Sequence, residues 1–361
     1  MKESILIFMP DIFWGGAETQ FRRIVKYERK YNIIVCSSRQ CKADNWNAIV
    51  EFIKSNPQAT FLVAEKGLSK IHSLWFYMKK VNEIKKSGYN IKAAIVYDGV
   101  SVGLIPYLKT RGIPVIYSER NSGEVIVNET SVKRYILNRC IRQADVLMAN
   151  SMLAKRLLSN HFGRDVILIK NALEIDELFF RKNTEIKKII VPARIDPVKN
   201  QKLIIDWLIE HPMYDIEIHF AGKINDHLYY GMLCDLISKY KLSNKIKFLG
   251  FITDTSALYK EYDMCILPSF TEGMSNVILE SFAFGIPILV SKIEMNAINK
   301  NTRKYAFSPN STSELDAVFN SFCNLSDMAK NDIKKANYEY VKKEHSVQKM
   351  IQNYHIVLDS L

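Results

Sequence analysis

A chain of 361 residues, 48% hydrophobic and 24% charged, can bury a sizeable core and is long enough for two domains. No apolar run approaches the ~18 residues of a membrane-spanning helix, and Ile5 to Met9 is too short and too poorly flanked for a signal peptide, so the expected location is the cytoplasm. The formal charge of +12 is uneven: residues 1–170 hold 27 Lys+Arg against 14 Asp+Glu and residues 171–361 hold 23 against 24, so the first half is expected to face something anionic, whether phosphorylated substrate, lipid surface or nucleic acid.

Short β-type runs recur between helical patterns: Ile5 to Met9, Ile33 to Cys36, Phe61 to Val63, Ala93 to Tyr97, Val115 to Tyr117, Val146 to Ala149 and Val166 to Ile169. That alternation predicts a doubly wound parallel sheet. After a charged stretch near Glu174 to Lys187 a second series follows: Ile189 to Val191, Ile216 to Phe220, Ile246 to Leu249, Met264 to Leu267 and Ile286 to Val290. The expected organisation is α/β throughout, with one sheet domain over residues 1–170, another over 171–335, and a C-terminal helix over 336–361 packing back toward the first. Six scattered cysteines without metal-ligand or framework spacing are expected to be reduced thiols.

Open α/β sheets bind ligands outside the carboxyl ends of their strands, so two such sheets facing one another would make a cleft. The informative residues should follow strands, and they do. Gly15 and Gly16 end a loop and open a helix, which lets backbone amides approach a phosphate closely. Arg194 and Lys199 leave a strand end on a loop carrying Pro197, and a guanidinium fork beside a point charge suits a diphosphate. In SFTEGMSNVILESFAFGIPILVS, residues 269–291, Ser275 or Asn276 caps a helix that Gly285 ends. The amides from Gly273 through Met274, Ser275, Asn276 and Val277 then form an anion site, with Glu272 just before it and Glu280 one turn inside. On this helix alone two readings stand: the glutamates accept from sugar and ribose hydroxyls flanking a diphosphate, or Glu272 complements the dipole and Glu280 lies on a solvated face. No GxGxxG follows a strand and no P-loop occurs, which argues against dehydrogenases and P-loop NTPases.

GGAE, ARIDPVKN, FLGFITD, YDMCILPSFTEG and the Glu272 to Glu280 spacing together resemble the large retaining family 4 of nucleotide-sugar glycosyltransferases, of the bacterial surface-polysaccharide type. The similarity covers nearly the whole chain, including ADVLMANS and VILIKNALEID. It implies the GT-B fold: two Rossmann-like doubly wound parallel-sheet domains facing across a cleft, the first for the acceptor and the second for the donor. It further implies that Arg194 and Lys199 hold the donor diphosphate, Glu280 the ribose hydroxyls and Glu272 the transferred sugar. Gly16 would add a backbone contact from the other domain, and Phe251 and Ile252 would hold the base. Where many members place a histidine after the fifth strand, this chain has Ser118-Glu119-Arg120-Asn121, so Glu119, Arg120 and Asn121 become acceptor-side candidates, with Asp98 a weaker one. For Glu119 and Arg120 a surface ion pair or loop hydrogen bonds stands as the alternative.

No metal-ligand spacing and no DxD motif occurs, so neither a catalytic metal nor another cofactor is expected, and cations and helix amides would stabilise the leaving phosphate. In Lys70 to Tyr89 the stripe Ile71, Leu74, Trp75, Met78, Val81 and Ile84 is read as core, with membrane insertion as the alternative, while Lys79, Lys80, Lys85 and Lys86, with Arg134 and Arg139, are read as facing anionic lipid through Coulombic attraction without penetration. No nucleic-acid-binding module is recognisable. The expected activity is metal-independent, retaining transfer from a nucleotide sugar, a UDP-sugar for preference, to a free or polyprenyl-diphosphate-linked glycan in O-antigen or capsule synthesis at the inner face of the membrane. The alternatives are a sugar-nucleotide epimerase on the same fold and a catalytically silent nucleotide-sugar-binding partner.

Overall fold

The computed structural model describes residues 2–9, 12, 16–38, 46–64, 68–97, 99–175, 185–252, 258–272, 274–292 and 303–361. They divide into two compact units, Met1–Ala172 with Val347–Leu361, and Leu173–Ser346. Asp98 and Gly273 lie outside the described residues.

The first unit holds a seven-stranded, all-parallel sheet in the order β3-β2-β1-β4-β5-β6-β7. Its strands are β1 (Ser4–Met9), β2 (Asn32–Ser37), β3 (Ala59–Val63), β4 (Ile91–Tyr97), β5 (Val115–Glu119), β6 (Val146–Ala149) and β7 (Val166–Leu168). The order reverses between β1 and β4, the position where open sheets take ligands. Helices α1 (Gly16–Tyr27) and α2 (Trp46–Ser55) contribute to the core on one face. The other face is covered by α3 (Lys70–Lys86), α4 (Ile105–Thr110), α5 (Glu124–Asn128), α6 (Val132–Ile141) and α7 (Met152–Phe162). β1 is buried along its whole length, as a central strand covered on both faces must be.

The second unit repeats the plan with a six-stranded parallel sheet, β10-β9-β8-β11-β12-β13. Its strands are β8 (Lys188–Pro192), β9 (Glu217–Ala221), β10 (Ile246–Gly250), β11 (Met264–Leu267), β12 (Ile288–Ser291) and β13 (Ala306–Phe307). The helices are α8 (Gln201–Glu210), α9 (His227–Lys239), α10 (Asn276–Ala283), α11 (Thr312–Cys323) and α12 (Asp327–Glu344). Trp207 is fully buried against Phe319 and Tyr214, at ring separations of 5.0 and 5.4 Å.

Two expectations change. The C-terminal helix over 336–361 is two helices: α12 ends at Glu344 in the second unit, and α13 (Val347–Asp359) returns to the first. The break lies at His345–Ser346: His345 N–H still closes the last turn on the Val341 carbonyl at 2.8 Å, but the His345 carbonyl accepts from Leu173 N–H at 2.8 Å and Ser346 bridges Leu173. Helix α13 buries Val347, Met350, Tyr354, Val357 and Leu358 in the core that also contains α1. Second, Ile71 and Trp75 of α3 are exposed, and the buried line is Ser73, Tyr77, Val81 and Ile84. Tyr77 decides the facing, because its ring packs edge-on to Phe8 and its hydroxyl donates to the Met9 carbonyl at 2.9 Å.

Candidate active site

Two loops leaving adjacent strands β8 and β11 build the charged centre of the second unit. After β8, Asp196 caps a 3₁₀ turn, Pro197–Lys199, by accepting from the Lys199 N–H at 3.2 Å, while its other carboxylate oxygen lies 3.4 Å from the Arg194 guanidinium. Asp196 is buried, and Arg194 extends outward at 59% exposure. Asn200 then takes a left-handed conformation, φ 55°, which suits Asn among the non-glycine residues. Its amide donates to the carbonyls of Pro268 at 3.2 Å and Pro309 at 2.8 Å, tying the turn to the loop after β11.

That second loop is fastened to the first by Phe270 N–H on the Val198 carbonyl, 2.8 Å. Ser291 Oγ holds the Ser269 carbonyl at 2.7 Å, and Ser269 Oγ donates to Glu272 Oε1 at 2.9 Å. The same Glu272 oxygen accepts from Lys199 Nζ, so the two residues form an ion pair with both side chains largely shielded, at 13% and 16% exposure. Arg194, five residues before Lys199 and within 3.4 Å of Asp196, brings a second cation to this strand edge.

Helix α10 starts at Asn276 with Ser275 at the N-cap, and Ser275 makes no side-chain cap hydrogen bond. Met274, Asn276 and Val277 are half-buried around it. Glu280, one turn in, accepts from the Tyr259 hydroxyl at 3.1 Å. Tyr259 is fully buried and stacks on Phe284 at 5.4 Å; burial first, and then the Glu280 charge, raise its phenol well above the usual value, so it stays a neutral donor. Phe251 is half-exposed just beyond β10, with Ile252 partly covered beside it.

In the first unit Gly16 is the exposed first residue of α1, and α1 is fixed by buried Gln20, which exchanges two hydrogen bonds with the Ala172 backbone at 3.0 and 2.8 Å. Glu119, at the end of β5, is buried and accepts from the Tyr117 hydroxyl and the Asn121 N–H, both at 2.7 Å, so it shapes its own loop. Arg120 lies over the Tyr97 ring, 5.7 Å from its centroid, and donates to the Tyr354 hydroxyl of α13 and to Asn171 Oδ1 at 3.4 Å. Burial pushes its pKa down, but the adjoining Tyr354 and Tyr97 outweigh that and hold it above the usual value. Of the three acceptor-side candidates here, Asn121 is the exposed one.

Sequence reasoning missed Asp196, Asn200, Gly222, Tyr259 and Ser269, which position the charged residues. Gly222 had a signal, a glycine directly after a strand. A Cβ there would sit 2.0 Å from the Ala193 carbonyl oxygen and 3.0 Å from Arg194 N, so only glycine lets the β9 loop lie against the Arg194 backbone. Among the described residues no group of three or more His, Cys, Asp or Glu is arranged to hold a metal ion.

Residues 175–339 match the family described as Glycosyl transferases group 1. That match lies within the second unit, and with two all-parallel Rossmann-like units the fold of the chain is GT-B. Its relatives include Protein CapJ of Staphylococcus aureus, 26% identical over 198 residues, which are 52% of this chain and 48% of CapJ. A second is the O-antigen biosynthesis glycosyltransferase WclY of Escherichia coli, 31% identical over 103 residues, 28% of this chain and 27% of WclY. The matched part is thus about half the length of CapJ and about a quarter of WclY. Among solved structures, Anabaena HepE in complex with UDP and glucose superposes with a TM-score of 0.81 at 18% identity, covering 99% of this chain and 100% of that one. A glycosyltransferase from Rickettsia africae does so with a TM-score of 0.81 at 19% identity, covering 99% and 98%. At these identities the structural matches speak for the fold.

Proposed function

We propose that this protein transfers a sugar, with retention, from a nucleotide sugar to a glycan acceptor during surface-polysaccharide synthesis, using no metal ion. The observation that carries this reading is the meeting of Lys199 and Glu272, with Arg194 held by the Asp196 that caps the Lys199 turn and α10 opening four residues after Glu272. Two cations and helix-start amides suit a diphosphate, and the two carboxylates suit the hydroxyls on either side of it. Glu280, oriented by Tyr259, takes the ribose and Glu272 the sugar. Phe251 and Ile252 cover the base. HepE was crystallised with UDP, which supports a UDP-sugar as donor, and the O-antigen role of WclY supports a surface glycan as product.

In the reaction the bond between the sugar's anomeric carbon and the β-phosphate oxygen breaks and the acceptor oxygen bonds to that carbon from the same face. The acceptor proton passes to the departing phosphate oxygen, while Arg194, Lys199 and the amides at Met274 to Val277 stabilise its growing charge. Asn121, exposed after β5, adds a polar group on the acceptor side. The acceptor is placed on a polyprenyl diphosphate carrier at an anionic membrane surface, in keeping with the charge of the first half. No helix of the described residues is long and apolar enough to cross a membrane.

The test is a thermal-shift screen against nucleotide sugars, followed by release of nucleoside diphosphate with and without glycan acceptor. Release that depends on acceptor supports transfer. An isomerised sugar nucleotide formed without acceptor would replace it with epimerisation, and no shift with any nucleotide sugar would overturn the donor site.

A further inference from the structure

We infer that the outer edge of the helical layer over α3, α6 and α7 docks on an anionic lipid bilayer by shallow insertion of apolar side chains, with cations one helical turn behind them. This rests on the proposal of a membrane-borne acceptor, and it adds the surface and the mode of attachment. Ile71 and Trp75 of α3 are 80% and 61% exposed, Val132, Tyr135 and Ile136 of α6 are 76%, 61% and 55% exposed, and Met152 of α7 is 51% exposed. In α6 the spacing i, i+3, i+4 places all three on one stripe, opposite the buried Ile141 and Arg134.

The topology brings these stripes to one edge. Every strand of the sheet runs parallel and the helices run back between them, so the first two turns of α3 and α6 and the first residue of α7 lie toward the carboxyl ends of the strands. Helices α3 and α6 both pack on the single turn Val100–Leu104, which makes them neighbours across it. The same strand edge carries Glu119, Arg120 and Asn121 at the end of β5, so a lipid surface here would bring a carrier-linked acceptor to the loop that reads it.

The cations repeat one relation. Lys79 follows Trp75 by four residues and its ammonium lies 5.6 Å from the indole centroid. Arg139 follows Tyr135 by four and hydrogen-bonds its hydroxyl at 3.1 Å. Arg156 follows Met152 by four and is exposed. One turn is about 5.4 Å along a helix, so apolar tips that enter the acyl boundary leave these cations at the depth of the lipid phosphates. The exposed acid adjoining the α6 stripe, Glu129, accepts from Ser131 Oγ at 2.5 Å and pairs with Arg134 Nε at 3.4 Å, so its charge is in part offset by a cation of the same helix. This mode differs from purely Coulombic attachment in that an apolar component survives salt that screens the charges.

The experiment is cosedimentation with phosphatidylglycerol–phosphatidylcholine vesicles and with phosphatidylcholine vesicles, at low salt and at about 0.5 M. The wild type is expected to bind the anionic vesicles and to keep measurable binding at high salt, with tryptophan emission shifted to the blue. Ile71→Ser/Trp75→Ser/Ile136→Ser, three surface changes checked by an unaltered melting curve, should bind about tenfold more weakly and be released fully by salt. Trp75→Phe should lose the emission shift while still sedimenting. A triple variant that sediments like the wild type, or a wild type that binds neither vesicle, would overturn the proposal. So would concentration-dependent self-association abolished by the triple variant, which would give this face to a second copy. The nucleotide thermal shift separates the two readings: it should be unchanged in the triple variant, and its absence in a vesicle-binding wild type would remove the donor site and leave the docking surface standing.

Discussion

Lys199 and Glu272, 73 residues apart, neutralise one another at the meeting of two strand-end loops. On the proposed function a donor must separate them, its phosphate taking the ammonium and its sugar hydroxyls the carboxylate. Glu272→Gln should therefore bind a bare nucleoside diphosphate several-fold more tightly, since no anion competes for Lys199, while turnover falls. Lys199→Ala should lose a charged hydrogen bond of about 1.5–3 kcal/mol, or roughly 10- to 150-fold in turnover. Calorimetric titration and steady-state kinetics measure both. Lys199→Ala within threefold of wild type would end the assignment.

On the proposed function Tyr259 acts on the donor through Glu280, to which it donates at 3.1 Å. Tyr259→Phe should weaken nucleoside diphosphate binding by about 0.5–1.5 kcal/mol, and Glu280→Ala by more. Because burial holds the phenol far above its ordinary value, wild-type affinity should show no inflection from Tyr259 between pH 7 and about pH 10. An inflection near pH 10 that Tyr259→Phe abolishes would contradict this.

Gly222 touches no substrate in this reading, yet Gly222→Ala should lower donor affinity, because its Cβ would push the Ala193–Arg194 backbone aside. An accompanying destabilisation of about 1–3 kcal/mol is expected. Nucleotide titration of a variant that is folded by circular dichroism decides the matter, and wild-type affinity would refute it.

Asp316 of α11 accepts from Tyr214 at 2.6 Å, Trp207 Nε1 at 3.0 Å and Asn320 at 2.9 Å. Burial pushes its carboxyl up, but these donors and His211 outweigh that and hold it below the usual value. A depressed folded pKa gives stability that is full above the unfolded value of about 4 and is lost as pH falls through the folded one. Asp316→Asn should therefore destabilise the protein at neutral pH by about 1.5–3 kcal/mol, with the difference shrinking below pH 4. Denaturant melts across pH 2.5–7 would test this, and a pH-independent difference would deny the carboxylate its role.

Turnover should survive excess EDTA, because cations and amides are proposed to carry the leaving-group charge. Loss of activity restored by Mg²⁺ or Mn²⁺ would reassign that role to a metal.

The strands were legible because each is a short β-branched run between helical patterns, and β13 was not because two residues, Ala306 and Phe307, carry no periodicity. The charged residues of the site were legible for a related reason: Arg194, Lys199 and Glu272 follow strands, where open sheets place their chemistry. Their supports were not. Asn200 contacts Pro309 and Gln20 contacts Ala172, partners over a hundred residues away that no local spacing encodes. The facing of α3 was misread because apolar residues lie on two of its sides, and the choice between them rests on where the Tyr77 hydroxyl finds the Met9 carbonyl.

Helix α13 belongs to the unit whose strands were all made before the other unit began. On the ribosome, the face of the first sheet that receives Met350, Tyr354 and Leu358 stays open to water until residues 173–346 have been synthesised. Arg120 likewise lacks its Tyr354 partner through that interval. The second unit, contiguous in the chain, can close while the first is still incomplete, so the nascent protein matures from the middle outward, and its earliest-made strands are the last to be sealed.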